Sequence, residues 1–187
     1  MKKTFILFFL ILIIYSVYSK PKSFWRYGDN YSYSITLDNK WETDLDYANQ
    51  MGFNNFFYYK ESKESKYPES LIMVNLFNQG GDVNTLEEFI NFNIDKFNKV
   101  YPEFYFKKLD WKIKTKKKIE YQIYYIYSNS KTVKQYVLYL KGEHPYFLSI
   151  ALQLDVYGIN NNNKYIKDFK NIIKSIYFVS FLKLDKK

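Results

Sequence analysis

The stretch YFLSIALQL, Tyr146 to Leu154, decides the fold because its side chains alternate with the period of a β-strand. Ser149 and Gln153 fall on one face of that strand. The opposite face is aliphatic and carries Leu148, Ile150, Leu152 and Leu154. A helical pattern follows, in which apolar residues recur at spacings of three and four: Tyr165, Ile166, Phe169, Ile172, Ile173 and Ile176. A strand with one apolar face and a helix with one apolar stripe predict a helix packed on a sheet.

The chain upstream of this pair predicts further strands and one more helix. Strand patterns occupy residues 31–37, 53–59, 70–77, 103–110 leading into 111–114, 118–127 and 133–140, and a short strand closes the chain at 176–181. Thr85 and Glu88 have the spacing of a capping box at the start of a helix. Short turns join most strands, which favours antiparallel pairing. We therefore predict an α+β fold, a single antiparallel β-sheet with amphipathic helices packed on it, in one domain over residues 20–187.

Two parts of the sequence resemble the PsbP-like fold, an α/β/α arrangement. The first is ITLDNKW, Ile35 to Trp41, which is similar to the strand, turn and tryptophan with which that fold opens. The second joins YFLSIALQL to KDFKNIIKSIYF, Lys167 to Phe178, which is similar to its last long strand and packed terminal helix. The resemblance covers about Phe24 to Phe181. It implies the fold and a role in binding or assembly, because the well-known members are non-catalytic subunits.

The first 19 residues have the pattern of a secretory signal peptide. Lys2 and Lys3 precede an unbroken apolar run from Phe5 to Ile14, and small residues precede a cleavage position after Ser19. The run is shorter than the roughly 20 residues that a membrane-spanning helix needs. We expect an exported protein, periplasmic or secreted, with no transmembrane helix in its mature chain. The alternative is a membrane tether formed by an uncleaved N-terminal segment.

The net charge and the composition limit the classes of partner and of function that we expect. The net charge is +9, but export argues against nucleic acid, so an envelope protein or an anionic surface is the expected partner. The chain has no cysteine and one histidine, His144, in a predicted turn. No metal-binding motif or triad pattern occurs, and the carboxylates are scattered. The sequence therefore predicts no cofactor, no metal and no enzyme.

Two places stand out as candidate interaction surfaces. The first is the lysine segment, KKLDWKIKTKKK from Lys107 to Lys118. Its candidate residues are Lys107, Lys108, Trp111, Lys112, Lys114, Lys116 and Lys118. In an extended chain, four of these lysines project from one face and could bind an anionic partner: Lys112, Lys114, Lys116 and Lys118. The alternative is an edge strand whose lysines prevent sheet-to-sheet aggregation.

The second place is Trp25 with Arg26, which could anchor a partner or pack back on the domain. The 21 tyrosines raise a related question, because both faces of the strand around Tyr125 are aromatic or apolar. That sheet is either covered by helices on both sides or exposes an aromatic face to a partner or to sugar rings. The predicted function is a non-enzymatic binding or assembly protein of the cell envelope. The alternatives are a small-ligand or glycan-binding module and, third, a carboxylate-based hydrolase.

Overall fold

The structure, a computed structural model, describes residues 21–27, 31–59, 70–78, 85–116, 118–129, 133–141, 148–157 and 162–180. The strands are β1 (Lys22–Tyr27), β2 (Tyr31–Leu37), β3 (Trp41–Thr43), β4 (Asn55–Tyr59), β5 (Ser70–Asn78), β6 (Phe104–Leu109), β7 (Tyr121–Ser128), β8 (Val133–Lys141), β9 (Leu148–Tyr157) and β10 (Tyr177–Ser180). The helices are α1 (Leu45–Gln50), α2 (Leu86–Val100) and α3 (Asn162–Ser175). The α+β class is confirmed.

The strands form two antiparallel sheets, so the prediction of a single sheet is wrong. The small sheet has the order β1-β2-β10, and the large sheet has the order β3-β4-β5-β9-β8-β7-β6. In the small sheet, Tyr33 of β2 pairs with Phe178 of β10, a partner that lies far along the chain. Short-range strand patterns do not reveal such a pairing, and for that reason the second sheet was missed.

The small sheet and α3 together cover the front face of the large sheet, which we define by Ile72, Leu138 and Leu152. The largest core joins all three layers. Its fully buried members include Ile35 from the small sheet and Phe169 from α3. The helix thus buries its apolar stripe as the spacing predicts, and hydrophobic burial holds the two sheets face to face.

Helix α2 covers the back face of the large sheet, which we define by Val137, Tyr139 and Ala151. Thr85 is the N-cap, and both bonds of the capping box are present. The Glu88 amide donates to Thr85 Oγ1 at 3.1 Å, and the Thr85 amide donates to Glu88 Oε2 at 2.9 Å. The predicted helix start is therefore correct, and the layers follow the order α/β/α.

A short helix, α1, was not predicted. Asp44 caps it by accepting a hydrogen bond from the Tyr47 amide at 2.9 Å. Gly52, at φ +75°, follows the helix and reverses the chain towards β4. Its six residues bury one side chain, Ala48, so its sequence carries too little apolar periodicity to reveal it.

Polar contacts fix the layers to one another. The Tyr33 hydroxyl of β2 donates to Asn55 Oδ1 of β4, and both residues are buried. Burial raises the pKa of Tyr33 well above its usual range, so this donor keeps its proton. The Trp41 indole Nε1–H donates to Asp168 Oδ2 of α3 at 3.2 Å. These side chains set the position of the small sheet and of α3 over the large sheet.

Candidate binding surfaces

The first half of the lysine segment lies on β6, which is the outer strand of the large sheet. Lys107 and Lys108 are both exposed and lie on opposite faces of that strand. Lys107 is opposite Tyr125 of β7, and Lys108 is opposite Tyr124. The structure thus places two of the candidate lysines on an edge strand, one on the front face and one on the back face.

The second half of the lysine segment leaves the edge and folds over the front face, because the Ile113 side chain and backbone groups of Trp111 and Ile113 are held there. Ile113 is buried in the main core. The Tyr121 hydroxyl of β7 accepts the Ile113 amide hydrogen at 2.7 Å. The same hydroxyl has one hydrogen to donate, and its two acceptors are the Ile113 carbonyl oxygen at 2.9 Å and the Trp111 carbonyl oxygen at 3.1 Å. One tyrosine therefore clamps this part of the chain.

The lysines of this second half point away from the core. Residues 110–116 form no strand, yet exposed lysines at 112, 114 and 116 alternate with Trp111, Ile113 and Thr115, which are at least partly buried. Lys118 is exposed as well. Trp111 does not present a free ring, because one side stacks on Tyr136 and Lys170 Nζ of α3 lies 4.1 Å from the indole centroid.

A continuous row of rings extends from Trp111 across the front face. We call its four tyrosines, Tyr136, Tyr125, Tyr127 and Tyr105, the tyrosine ladder. Successive ring centroids are separated by 5.6 Å from Trp111 to Tyr136, 5.1 Å to Tyr125, 5.3 Å to Tyr127 and 5.6 Å to Tyr105. The interplanar angles lie between 15° and 34°. The contacts from Trp111 to Tyr136 and from Tyr125 to Tyr127 are stacked, and the other two are tilted, so each ring of the row is in contact with the next one.

Much of the tyrosine ladder lies outside the packed core. Tyr105 is 47% exposed, and Tyr125 and Tyr127 are partly exposed. Burial, followed by the neighbouring phenols, raises the pKa of Tyr125 and of Tyr136, so both hydroxyls stay protonated. At Tyr105, which is 47% exposed, the described part of the chain does not cover the front face, so the first alternative for the tyrosines, a sheet covered on both sides, does not account for all of them.

A second aromatic cluster lies on the outer face of the small sheet. Trp25 is 50% exposed, Tyr27 is 71% exposed and Tyr177 is 36% exposed. Trp25 stacks on Tyr27 with 6.1 Å between centroids and lies 6.2 Å from Tyr177. Arg26, the other candidate in this segment, is on the opposite side of β1, directly across from Tyr33. The structure therefore separates Trp25 from Arg26 and joins Trp25 to two tyrosines.

A cavity of about 270 Å³ lies between the small sheet and α3. Its lining includes Asp38, Trp41 and Asp168. Burial raises the pKa of Asp168, the Trp41 hydrogen bond opposes that shift, and the charge of Asp38 adds to it. Two carboxylates in one cavity, one of them with a raised pKa, are a pattern that also occurs at general acid sites. This pair could not be predicted from the sequence, because the two residues lie 130 positions apart.

The predictions for the N-terminal segment and for the histidine are not tested by the structure. Residues 1–20 and His144 lie outside the described residues. In the part of the chain that the structure describes, no cluster of three or more His, Asp or Glu side chains could hold a metal ion. Within the same residues, no helix is long and apolar enough to cross a membrane.

The described architecture is PsbP-like, as the sequence resemblance implied. The chain is similar to the solution structure of cyanobacterial PsbP (CyanoP) from Synechocystis sp. PCC 6803, with a TM-score of 0.53, 9% identity and coverage of 85% of this chain and 92% of that one. It is also similar to the Saccharomyces cerevisiae Ran-binding protein Mog1p, with a TM-score of 0.53, 8% identity and coverage of 85% and 95%. At such identities the likeness shows the fold alone. No family model matches the chain, and no curated protein matches it significantly in sequence.

Proposed function

We propose that the protein is a non-enzymatic docking subunit that works outside the cytoplasm and holds a partner protein of the cell envelope. The observation that carries this proposal is the aromatic cluster of Trp25, Tyr27 and Tyr177 on the outer face of the small sheet. Tryptophan and tyrosine dominate the energetic centres of protein interfaces because they bury a large apolar area and lose little conformational entropy.

The edge of the small sheet supports the same role. Strand β1 pairs with β2 on one side, and no other described strand pairs with it. Such an edge offers backbone donors and acceptors to an extended segment of a partner, which then adds a strand to the sheet. Trp25 and Tyr27 belong to β1, the strand beside which the partner segment would pair. The side-chain anchors and the backbone pairing would therefore act on the same partner segment.

The fold and the N-terminal sequence add support from other directions. Mog1p, which has a similar fold, is described as a Ran-binding protein, so this fold is compatible with protein binding. The signal-peptide pattern of residues 1–19 is the basis for placing the function outside the cytoplasm. The mature chain then begins close to β1 and to the proposed docking face.

Site-specific cross-linking in cells tests the proposal. A photoreactive phenylalanine analogue replaces Tyr27 in one variant and Phe92 in the other. Phe92 is the matched control because it is an aromatic residue of α2 that is 53% exposed. We expect one envelope protein to be captured repeatedly from position 27 and not from position 92. With that protein purified, Trp25→Ala should weaken binding by about 2 kcal/mol, which is about thirtyfold in Kd.

Two results would contradict the docking role. The first is equal capture from both positions, which indicates random collisions. The second is an unchanged affinity of the captured protein for the Trp25→Ala variant, since the cluster would then not be the contact.

The cavity with Asp38 and Asp168 supports a second candidate, a carboxylate-based hydrolase. Asp168 would be the general acid, because burial favours its protonated form, and Asp38 would be the second carboxylate. A screen of glycoside substrates distinguishes the two candidates. A hydrolase must lose its activity in the Asp168→Asn variant, whereas a docking subunit has no such activity to lose.

A further inference from the structure

We propose that the tyrosine ladder, together with Lys107 and Lys134, is a binding site for an anionic polysaccharide. This site is separate from the aromatic cluster of the small sheet, and the inference does not rest on the proposed docking function. Three features of this face support the inference: the kind of ring that is exposed, the charge and the shape of the surface.

The distribution of phenylalanine and tyrosine on β6 shows which face meets solvent. Phe104 and Phe106 point to the back face and pack against α2. Tyr105, between them, points to the front face and is 47% exposed. All four rings of the ladder are tyrosines, although the chain has 17 phenylalanines. A face that only needed apolar cover would not require hydroxyl groups, so these hydroxyls suit contact with water and with a polar ligand that replaces it.

The charge of this face is positive. Lys107 lies beside the ladder, opposite Tyr125. Lys134 precedes Tyr136 by two residues in β8 and therefore lies on the same face. The front-face residues of β6, β7 and the described part of β8 include these two lysines and no carboxylate: Tyr105, Lys107, Leu109, Tyr121, Ile123, Tyr125, Tyr127, Lys134, Tyr136, Leu138 and Leu140. Protonated phenols and ammonium groups are all hydrogen-bond donors, and an anionic ligand supplies the acceptors.

The shape of the surface favours a chain of sugars over a folded acidic protein. The ladder is a narrow row of four partly exposed rings on a sheet, and each ring carries a hydroxyl. A protein interface of ordinary size has an apolar core surrounded by a polar rim. Here the exposed row itself is polar, so it suits a hydroxylated ligand with repeated negative groups. Each ladder ring is in contact with at least one neighbouring ring, which leaves less open ring face for a neutral sugar to stack on.

Binding measurements with defined polymers test the inference. The probes are dextran sulfate, its uncharged parent dextran, polygalacturonate and polyglutamate, each titrated calorimetrically into the full protein at fixed salt. We expect dextran sulfate and polygalacturonate to bind and dextran not to bind. Polyglutamate, which has the charge but no sugar, should bind at least about tenfold more weakly than polygalacturonate.

A matched pair of double variants separates this site from general attraction to a basic protein. Lys107→Gln with Lys134→Gln removes both charges of the front face. Lys108→Gln with Lys99→Gln removes the same charge from exposed positions on the back face of β6 and on α2. We expect the front-face pair to weaken polygalacturonate binding about tenfold or more and the control pair to weaken it about twofold.

Removal of hydroxyls tests the ladder itself. Tyr125→Phe with Tyr127→Phe keeps both rings and should weaken binding about fivefold.

Three outcomes would overturn the inference: no binding of either acidic polysaccharide, equal losses in the two lysine pairs, or polyglutamate binding as tightly as polygalacturonate. The last outcome would assign the surface to an acidic polypeptide. Equal melting temperatures of all variants verify that each loss reflects binding and not unfolding.

Discussion

The clamp formed by the Tyr121 hydroxyl gives the sharpest test of how the lysine segment is held. The variant Tyr121→Phe keeps the ring in the core and removes the oxygen. The Ile113 amide then loses its acceptor at 2.7 Å, and the carbonyl oxygens of Trp111 and Ile113 lose their shared donor. Because Ile113 is 9% exposed, water reaches its amide poorly.

The expected cost follows from those two losses. One accepted and one donated hydrogen bond are worth about 1 kcal/mol each in net stability, so the free energy of unfolding should fall by about 2 kcal/mol. Urea denaturation followed by circular dichroism measures it, with an unchanged m-value expected. Hydrogen exchange should also become faster at the Ile113 amide, because the segment is released locally.

Tyr127→Phe is the matched control on the same strand. The Tyr127 ring stacks within the ladder, and its hydroxyl has no hydrogen-bond partner among the described residues. This change should alter stability by less than about 0.5 kcal/mol. If Tyr121→Phe costs no more than Tyr127→Phe, the clamp does not hold the segment, and the reasoning about the lysine segment is refuted.

Three further changes probe the fold and the cavity. Tyr33→Phe leaves Asn55 Oδ1 buried without its donor and should cost about 1–3 kcal/mol in urea denaturation; a neutral result would contradict the contact between the sheets. Thr85→Ala removes the N-cap of α2 and should cost about 1 kcal/mol, whereas Thr85→Ser should cost little. For Asp168, the raised pKa means that the folded state binds the proton more tightly, so wild-type stability should fall as pH rises through the ionisation of this group. Asp168→Asn keeps an acceptor for Trp41 and should lack that fall. If the free energy of unfolding changes equally in the wild type and in this variant from acid to neutral pH, the assignment is contradicted.

Several features were predictable because they depend on neighbouring residues. The strand at Tyr31–Leu37 has the predicted bounds, and the capping box at Thr85 starts the predicted helix. Alternation with a period of two and a cap three residues from its partner are local properties of the backbone. The resemblance added the α/β/α order, which the layers confirm.

The candidate surfaces were predictable only in part. The lysines at 107 and 108 could be assigned to an edge strand, but the fold of residues 110–116 over the front face depends on Tyr121, which reaches back from the next strand. Trp25 could be singled out as an anchor, but its neighbour Tyr177 comes from the other end of the chain. Contacts of that kind are set by strand pairing over long sequence separations.

The sequence by itself determined the α+β class, most strands and the two amphipathic helices, because each follows from periodicity and from turn chemistry within a few residues. Only the tertiary structure decided that the strands divide into two sheets, that Asp38 and Asp168 share a cavity, and that four tyrosines of three strands stack in one row. Burial of apolar area selects among the many pairings that the same local patterns allow, and that selection involves the whole chain at once.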